Sequence, residues 1–430
     1  MNTGKRIVGG IAAAGIVISL AACSSDSGGD SSGDGGPVTL NVLLNGNAIG
    51  TNIEAMTDAF EDSHPDITVN VQVLAEQQMR DKEQLNLQSR SNAMDVYMTL
   101  PSREGPLFQA SGYYEPLDDY AAGAEDGFLD GFSTIAIDGM KVDGATVAMP
   151  MNVEGPIMYY RTDLFEEAGI EVPESIDDLL SAAEALESSS DGSYVPITLR
   201  GQADALAYDF GAFFHAEGLD WVTDGEPNFT DPKAIEAIDQ YATLASEYGP
   251  EGVINYSFNE STNLFASGGA AIELESSNLL PTIIAPETSS VIDTTGIATM
   301  PGGAPSILSW GLAMSPFSEN KDASWEYIEW ATNYDTQLET ALLGIAPPRD
   351  ALYEDETYTA SLDTPLKQQW SEALQYLLTD GETEIGPVSQ QAPEIRKIIG
   401  DGVGTVILGT ATAEEAAQSI QDQISPLITE

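Results

Sequence analysis

Between Val38 and Leu100 the chain alternates strand-like and helix-like segments. Val38–Leu44 (VTLNVLL) reads as a strand, and Ile53–Glu61 (IEAMTDAFE) has helical apolar spacing. His64-Pro65-Asp66 interrupts that helix, and Ile67–Leu74 (ITVNVQVL) alternates as a half-buried strand does. Gln77–Ser89 is a polar helix, and Asp95–Leu100 (DVYMTL) is a third strand. A β-α-β-α-β series requires a parallel sheet with helices on its faces. Ligands of such sheets sit outside the carboxyl ends of the strands, which here are the loops Asn45–Asn47 and Pro101–Arg103.

The alternation returns further on. Ile157–Tyr160, Ile197–Leu199 and Ala270–Glu275 are strand candidates. Helices are predicted over Thr162–Ala168 (capped by Gly169), Ser175–Leu186, Leu206–Ala216, Pro232–Tyr248, Ala323–Asn333, Pro365–Leu378, Ala392–Leu408 and Ala413–Pro426. Asp177 and Asp178 fall in the first turn of one of them, where the helix dipole favours acids. No tandem repeat is present. The fold class is α/β, with two lobes and not one large sheet.

The 69 acidic residues outnumber the 15 basic ones, for a net charge of −54. Phosphate binding needs clustered Lys and Arg, so nucleic acid is excluded as a partner. The acidic surface fits an exported protein kept soluble by charge, a saline habitat, or a cationic ligand. Carboxylates are so abundant that no pair stands out as catalytic. His64, beside Pro65, and His215, in an apolar run, form no metal centre, and no cofactor is implied. No G-x-S-x-G, H-E-x-x-H or Walker A motif occurs, so the chain reads as no enzyme. Gly400-Asp401-Gly402-Val403-Gly404 lies inside an apolar helical pattern and reads as a close-packing helix face. Alternation sends Tyr159 and Tyr160 to opposite sheet faces, as packing residues and not an iron pair. A carboxylate-pair glycosidase and a receptor for a cation such as a polyamine remain the alternative functions.

At the amino end, Lys5 and Arg6 precede an apolar run, Ile7–Leu20, too short to span a bilayer comfortably. Leu20-Ala21-Ala22-Cys23 resembles the lipobox of bacterial lipoproteins, which implies a signal peptide over 1–22 and a lipidated Cys23, the only cysteine of the chain. Ser24–Pro37 (SSDSGGDSSGDGGP) is a flexible tether reaching roughly 20 Å, so residues 23–37 hold the body to the outer face of the cell membrane.

Several segments in order resemble the extracellular solute-binding proteins of ABC importers, in the carbohydrate-binding family that includes maltose-binding protein. They include Ala148–Gly169 (AMPMNVEGPIMYYRTDLFEEAG), Pro173–Leu179 (PESIDDL), Gly112–Tyr120 (GYYEPLDDY), Phe265–Ile272 (FASGGAAI), Trp310–Ser315 (WGLAMS) and Gly344–Arg349 (GIAPPR). The resemblance implies a type II periplasmic-binding-protein fold. Its first lobe takes residues 38–152 plus 297–333 and its second 153–296 plus 334–430, joined by hinge strands. It also implies a monomer that closes over a carbohydrate, expected to be an oligosaccharide, and delivers it to permease subunits. A sugar site needs aromatic plates among hydrogen-bonding side chains. Trp310 and Trp221 are the expected plates, while Trp325, Trp330 and Trp370 read as core. Asn45, Asn47, Arg103, Asn152, Glu154, Ser277, Asn278 and Arg349 are the expected polar contacts. Neither Ser277-Asn278 nor Thr99 is the Trp that maltose-binding protein has there, which argues against maltose itself.

Overall fold

The computed structural model of the protein describes residues 37–303 and 305–428. The leader, Cys23 and the tether up to Gly36 lie outside those residues.

Two sheets organise the chain. In the first, Val38–Asn45 (β1), Ile67–Leu74 (β2) and Val96–Thr99 (β3) run parallel, linked by Ala48–Ser63 (α1) and Glu76–Gln88 (α2). The β1–β2 register is unbroken from Val38↔Ile67 to Asn45↔Leu74. Met149–Pro150 (β4) and, much later, Gly311–Met314 (β9) complete the order β2-β1-β3-β9-β4, with β9 antiparallel to both neighbours. The second sheet holds Pro156–Arg161 (β5), Val195–Thr198 (β6), Ala270–Ser276 (β7) and Thr295–Ala298 (β8) in the order β8-β5-β7-β6. There β7 is parallel to β6, and β5 is antiparallel to both β7 and β8.

Helices cover both sheets because each has one apolar stripe. In α1, Ile49, Ile53, Thr57 and Phe60 are buried at helical spacing, and the Phe60 ring meets Tyr327 edge-on at 5.2 Å. Pro101–Ser111 (α3) follows β3 at once. Thr162–Ala168 (α4) ends at Gly169, whose φ of +67° is the left-handed turn that glycine tolerates. Ile176–Ser189 (α5) starts at Ser175, whose hydroxyl accepts the Asp178 amide at 3.1 Å. Ala203–Ala216 (α6), Pro232–Glu247 (α7), Lys321–Thr332 (α8), Pro365–Asp380 (α9), Ala392–Ile407 (α10) and Ala413–Ile424 (α11) complete the set used below.

Each sheet has its own core. Leu40, Val42, Val96, Met98, Leu312 and Met314 belong to the first. In the second, Met158, Ile272 and Leu274 face the α6 aromatics Phe210, Phe213 and Phe214. Ile157 and Tyr159 pack on the other side with Phe265, Trp370 and Leu374. Tyr159 and Tyr160 thus separate as alternation demands, and the Tyr159 hydroxyl donates to the Ser276 carbonyl at 3.0 Å. The 400–404 glycine run is a packing face: a Cβ on Gly400 would lie 1.9 Å from the Ala203 carbonyl oxygen in α6.

Two segments connect the lobes side by side. Glu154 and Leu308 exchange both backbone hydrogen bonds at 2.8 Å, and the Met151 amide donates to the Trp310 carbonyl at 2.8 Å. A third segment joins them where the Val153 amide donates to the Ala346 carbonyl at 3.3 Å. Ile297 and Ala298, expected in the first lobe, pair with Tyr159 and Met158 in the second sheet. The crossing therefore follows β8 instead of preceding it.

Candidate interlobe binding site

The carboxyl ends of the parallel strands and the connecting ribbon place a set of polar side chains together. On the ribbon, the Glu154 carboxylate accepts from the Ser276 hydroxyl at 2.6 Å and from the Asn278 amide at 2.7 Å. Burial raises the Glu154 pKa, and those two hydrogen bonds only partly offset it. The Asn152 Oδ1 accepts the Trp310 backbone amide at 3.0 Å, which fixes Trp310 relative to the hinge. Ser277 is buried, and its carbonyl accepts from the Trp370 indole at 2.8 Å.

The first lobe adds a charged wall. Asn45, at the end of β1, is buried, and its side chain makes no hydrogen bond to another described residue. The Arg80 guanidinium lies 5.3 Å from the Trp310 ring centroid, a cation–π distance. Arg80 also pairs with Glu76 at 2.9 Å and Glu104 at 2.8 Å, and Arg103 reaches Glu76 at 3.2 Å. Burial lowers the Arg80 pKa, but Glu104 and Glu76 more than reverse this and hold it above its ordinary value. Burial and the neighbouring Arg80 depress Arg103. Pro101–Arg103, expected as a loop, is the first turn of α3, with Pro101 at a position where a missing amide costs nothing.

The second lobe answers with Arg200, just past β6. It forms a bidentate pair with Glu275, lies 3.7 Å from Asp209, and sits 4.3 Å over the Tyr208 ring. Arg200 is among the charges that lower the Glu76 pKa, and Asp204 acts on Arg103, so the two walls face one another. Helix α10 also packs against α3 across this space. Asn152 Nδ2, Ser277 Oγ and Arg396 Nε are buried without a hydrogen-bond partner among the described residues. Buried polar atoms are nearly always satisfied. Several such atoms lie on the elements around the cleft, with donor capacity left unused.

Two expected contacts belong elsewhere, and a third, Asn47, has a capping role. Trp221 is wholly buried, stacked 4.4 Å from Phe214, and its indole N–H donates to the Glu384 carbonyl at 3.1 Å. It is a core ring of the second lobe and offers no face to a solute. Arg349 is 1% exposed and spends its donors on Gln337, Asp130, Phe128 and Thr332 at 2.6–2.9 Å, with its guanidinium 3.5 Å from the Phe132 centroid. Burial takes its pKa down to about 10. Asn47 is the α1 N-cap, its Oδ1 taking the Gly50 amide at 3.0 Å. Among the described residues no group of three or more His, Cys, Asp or Glu is placed to hold a metal ion.

Residues 45–338 match the family described as bacterial extracellular solute-binding protein. The chain belongs to that family. This solute-binding protein is 32% identical over 309 residues to the mannitol-binding protein of Pseudomonas aeruginosa, covering 69% of this chain and 70% of that one. Its fold is similar to a solute-binding protein of Agrobacterium radiobacter in complex with ribitol, with a TM-score of 0.79, 23% identity, and 91% and 99% of the two chains covered. It is also similar to one of Agrobacterium vitis with bound D-mannitol, with a TM-score of 0.76, 24% identity, and 90% and 98% covered. The matched proteins are binding proteins, which accords with the absence of catalytic motifs in the sequence.

The sequence reading missed Arg80, Arg200, Tyr208 and Arg396. Arg80 was hidden in a polar helix, and Arg396 in a helix far along the chain. Arg200 was findable: it directly follows a predicted strand end, where basic residues are scarce in a chain with 15 of them.

Proposed function

We propose that this solute-binding protein is the receptor of an ABC importer, and that its cleft takes a short polyol or monosaccharide. The observation that carries the reading is Arg80 over Trp310. Trp310 is 5% exposed, embedded in the first core, and one ring face is covered by the guanidinium. Little plate is left for a run of stacked pyranoses. Arginine forks, carboxylates and amides dominate the cleft, and these suit a small ligand read through its hydroxyls. The similarity to a mannitol-binding protein supports the same class. This narrows the oligosaccharide expected from the sequence to a shorter ligand.

The lobes are taken as residues 38–152 plus about 309–333, built on the first sheet, and the remaining segments, built on the second. They close by bending of the ribbon at 151–155 and 306–310. Lipidation at Cys23 would hold this monomeric receptor at the outer face of the cell membrane beside its permease.

Calorimetry against alditols, aldoses and malto-oligosaccharides tests the reading. D-mannitol or another short alditol is expected to bind with one site per chain. Binding by maltotriose with no heat from any alditol or monosaccharide would contradict it. A polyamine receptor would instead bind spermidine, with affinity falling steeply as salt rises.

A further inference from the structure

Four arginines converge on the cleft, and three of them have a carboxylate in contact. Arg80 has Glu76 and Glu104, Arg103 has Glu76, and Arg200 has Glu275 and Asp209. The fourth, Arg396 in the first turns of α10, has none among the described residues. It is 8% exposed, and its Nε is without a hydrogen-bond partner. Its aliphatic stem is packed in place: a Cβ on Gly386 would lie 3.4 Å from the Arg396 Cγ. One turn on, Gly400 lets α10 sit against the Ala203 carbonyl, at the start of the helix that carries Asp204 and Tyr208. Burial, then Arg103, Arg80 and Arg200, bring the Arg396 pKa down to about 9; Glu76, already shared by two other arginines, opposes them.

A buried cation without its own counter-charge destabilises the protein that holds it. Among the described residues no hydrogen bond or ion pair uses this guanidinium, whereas a solute with adjacent oxygen atoms would. We propose that Arg396 is a ligand-contacting residue of the cleft, donating from Nε and a terminal nitrogen to two neighbouring oxygens at one end of a short polyhydroxylated solute. The inference rests on the reading of the cleft as a polyol or monosaccharide site, and deepens it by naming a second-lobe contact. Two such oxygens are supplied by a vicinal diol or by a terminal carboxylate. A planar fork reads either one, which a lysine does not.

The test titrates the full chain, Arg396→Gln and Arg396→Lys with D-mannitol and with D-mannonate. The thermal midpoint of each ligand-free protein is measured alongside. Glutamine at position 396 is expected to weaken whichever ligand the wild type binds by at least about tenfold, and lysine by at least about threefold. The ligand-free midpoint should stay level or rise, because an unpaired buried charge has gone. A purely structural arginine would behave oppositely, lowering the midpoint and leaving affinity alone. Loss with mannitol identifies the diol, and loss with mannonate the carboxylate. Affinities within twofold of wild type in both variants would overturn the assignment of Arg396 while leaving the cleft reading intact. A wild-type chain silent toward alditols, aldoses and aldonates would overturn both.

Discussion

At the residue scale, two buried arginines with opposite surroundings separate structure from binding. Arg349 bonds to three backbone carbonyls and to Gln337, and its ring neighbour Phe132 covers it. Arg349→Met would strand the carbonyls of Asp130, Phe128 and Thr332. It should lower stability to urea by about 3 kcal/mol while D-mannitol affinity, read by calorimetry, stays within twofold. A loss of affinity with unchanged stability would return Arg349 to the binding site. The sequence carried part of this map. Asn152, Glu154 and Trp310 lie in segments whose order resembles the family, Asn278 follows a predicted strand end, and the structure brings all four together at the hinge. Trp221 was misread for a physical reason. Glu217-Gly218-Leu219-Asp220 looks like an exposed turn, and only the fold shows Phe210, Phe214 and Phe229 closing around the ring that follows.

At the scale of elements, long periodic helices were legible and short pieces at the site were not. Thr162–Ala168 matches its predicted range, and α7, α9, α10 and α11 differ only at their ends. Helix α3 was hidden because it begins at Pro101 directly off β3 and carries Pro106 inside, so no apolar stripe announces it. The two-residue β4 and the late β8 depend on pairing with distant strands, which local pattern does not encode, whereas WGLAM at 310–314 reads as a strand and forms β9. Contact between α10 and α6 is the element-level feature most open to test. A methyl at position 400 would meet backbone, with the Ala203 oxygen 1.9 Å and its carbonyl carbon 2.5 Å away. Side-chain adjustment cannot relieve such a clash. Gly400→Ala is therefore expected to cost about 2–3 kcal/mol in chemical denaturation. Asp401→Ala, which removes only an exposed pair with Lys397, should cost no more than about 0.5 kcal/mol. Equal effects would mean that the glycine face is not an interface.

At the scale of the whole molecule, charge and motion dominate. Glu83, Asp209 and Glu273 are buried acids whose pKa values burial raises well above the ordinary 4.5, 3.8 and 4.5, and Glu154 is raised in the same sense. Such groups bind protons more tightly folded than unfolded, so their contribution is full below the unfolded pKa and is lost as pH rises through the folded one. Self-repulsion of a net charge of −54 acts in the same direction. The ligand-free melting temperature, by calorimetry at fixed ionic strength, should thus be higher at about pH 5 than at about pH 8. The reverse order would contradict proton uptake by these buried acids on folding, because carboxylates with lowered pKa values, such as Asp163 and Asp363, already contribute fully at both pH values. Arginines of the two lobes face one another beside a thin ribbon, and in the proposed reading a solute between them favours closure. Small-angle X-ray scattering of the full chain, with and without saturating D-mannitol, tests that claim most directly. The account predicts a smaller radius of gyration with the ligand, and superimposable curves at a mannitol concentration shown by calorimetry to fill the site would contradict it.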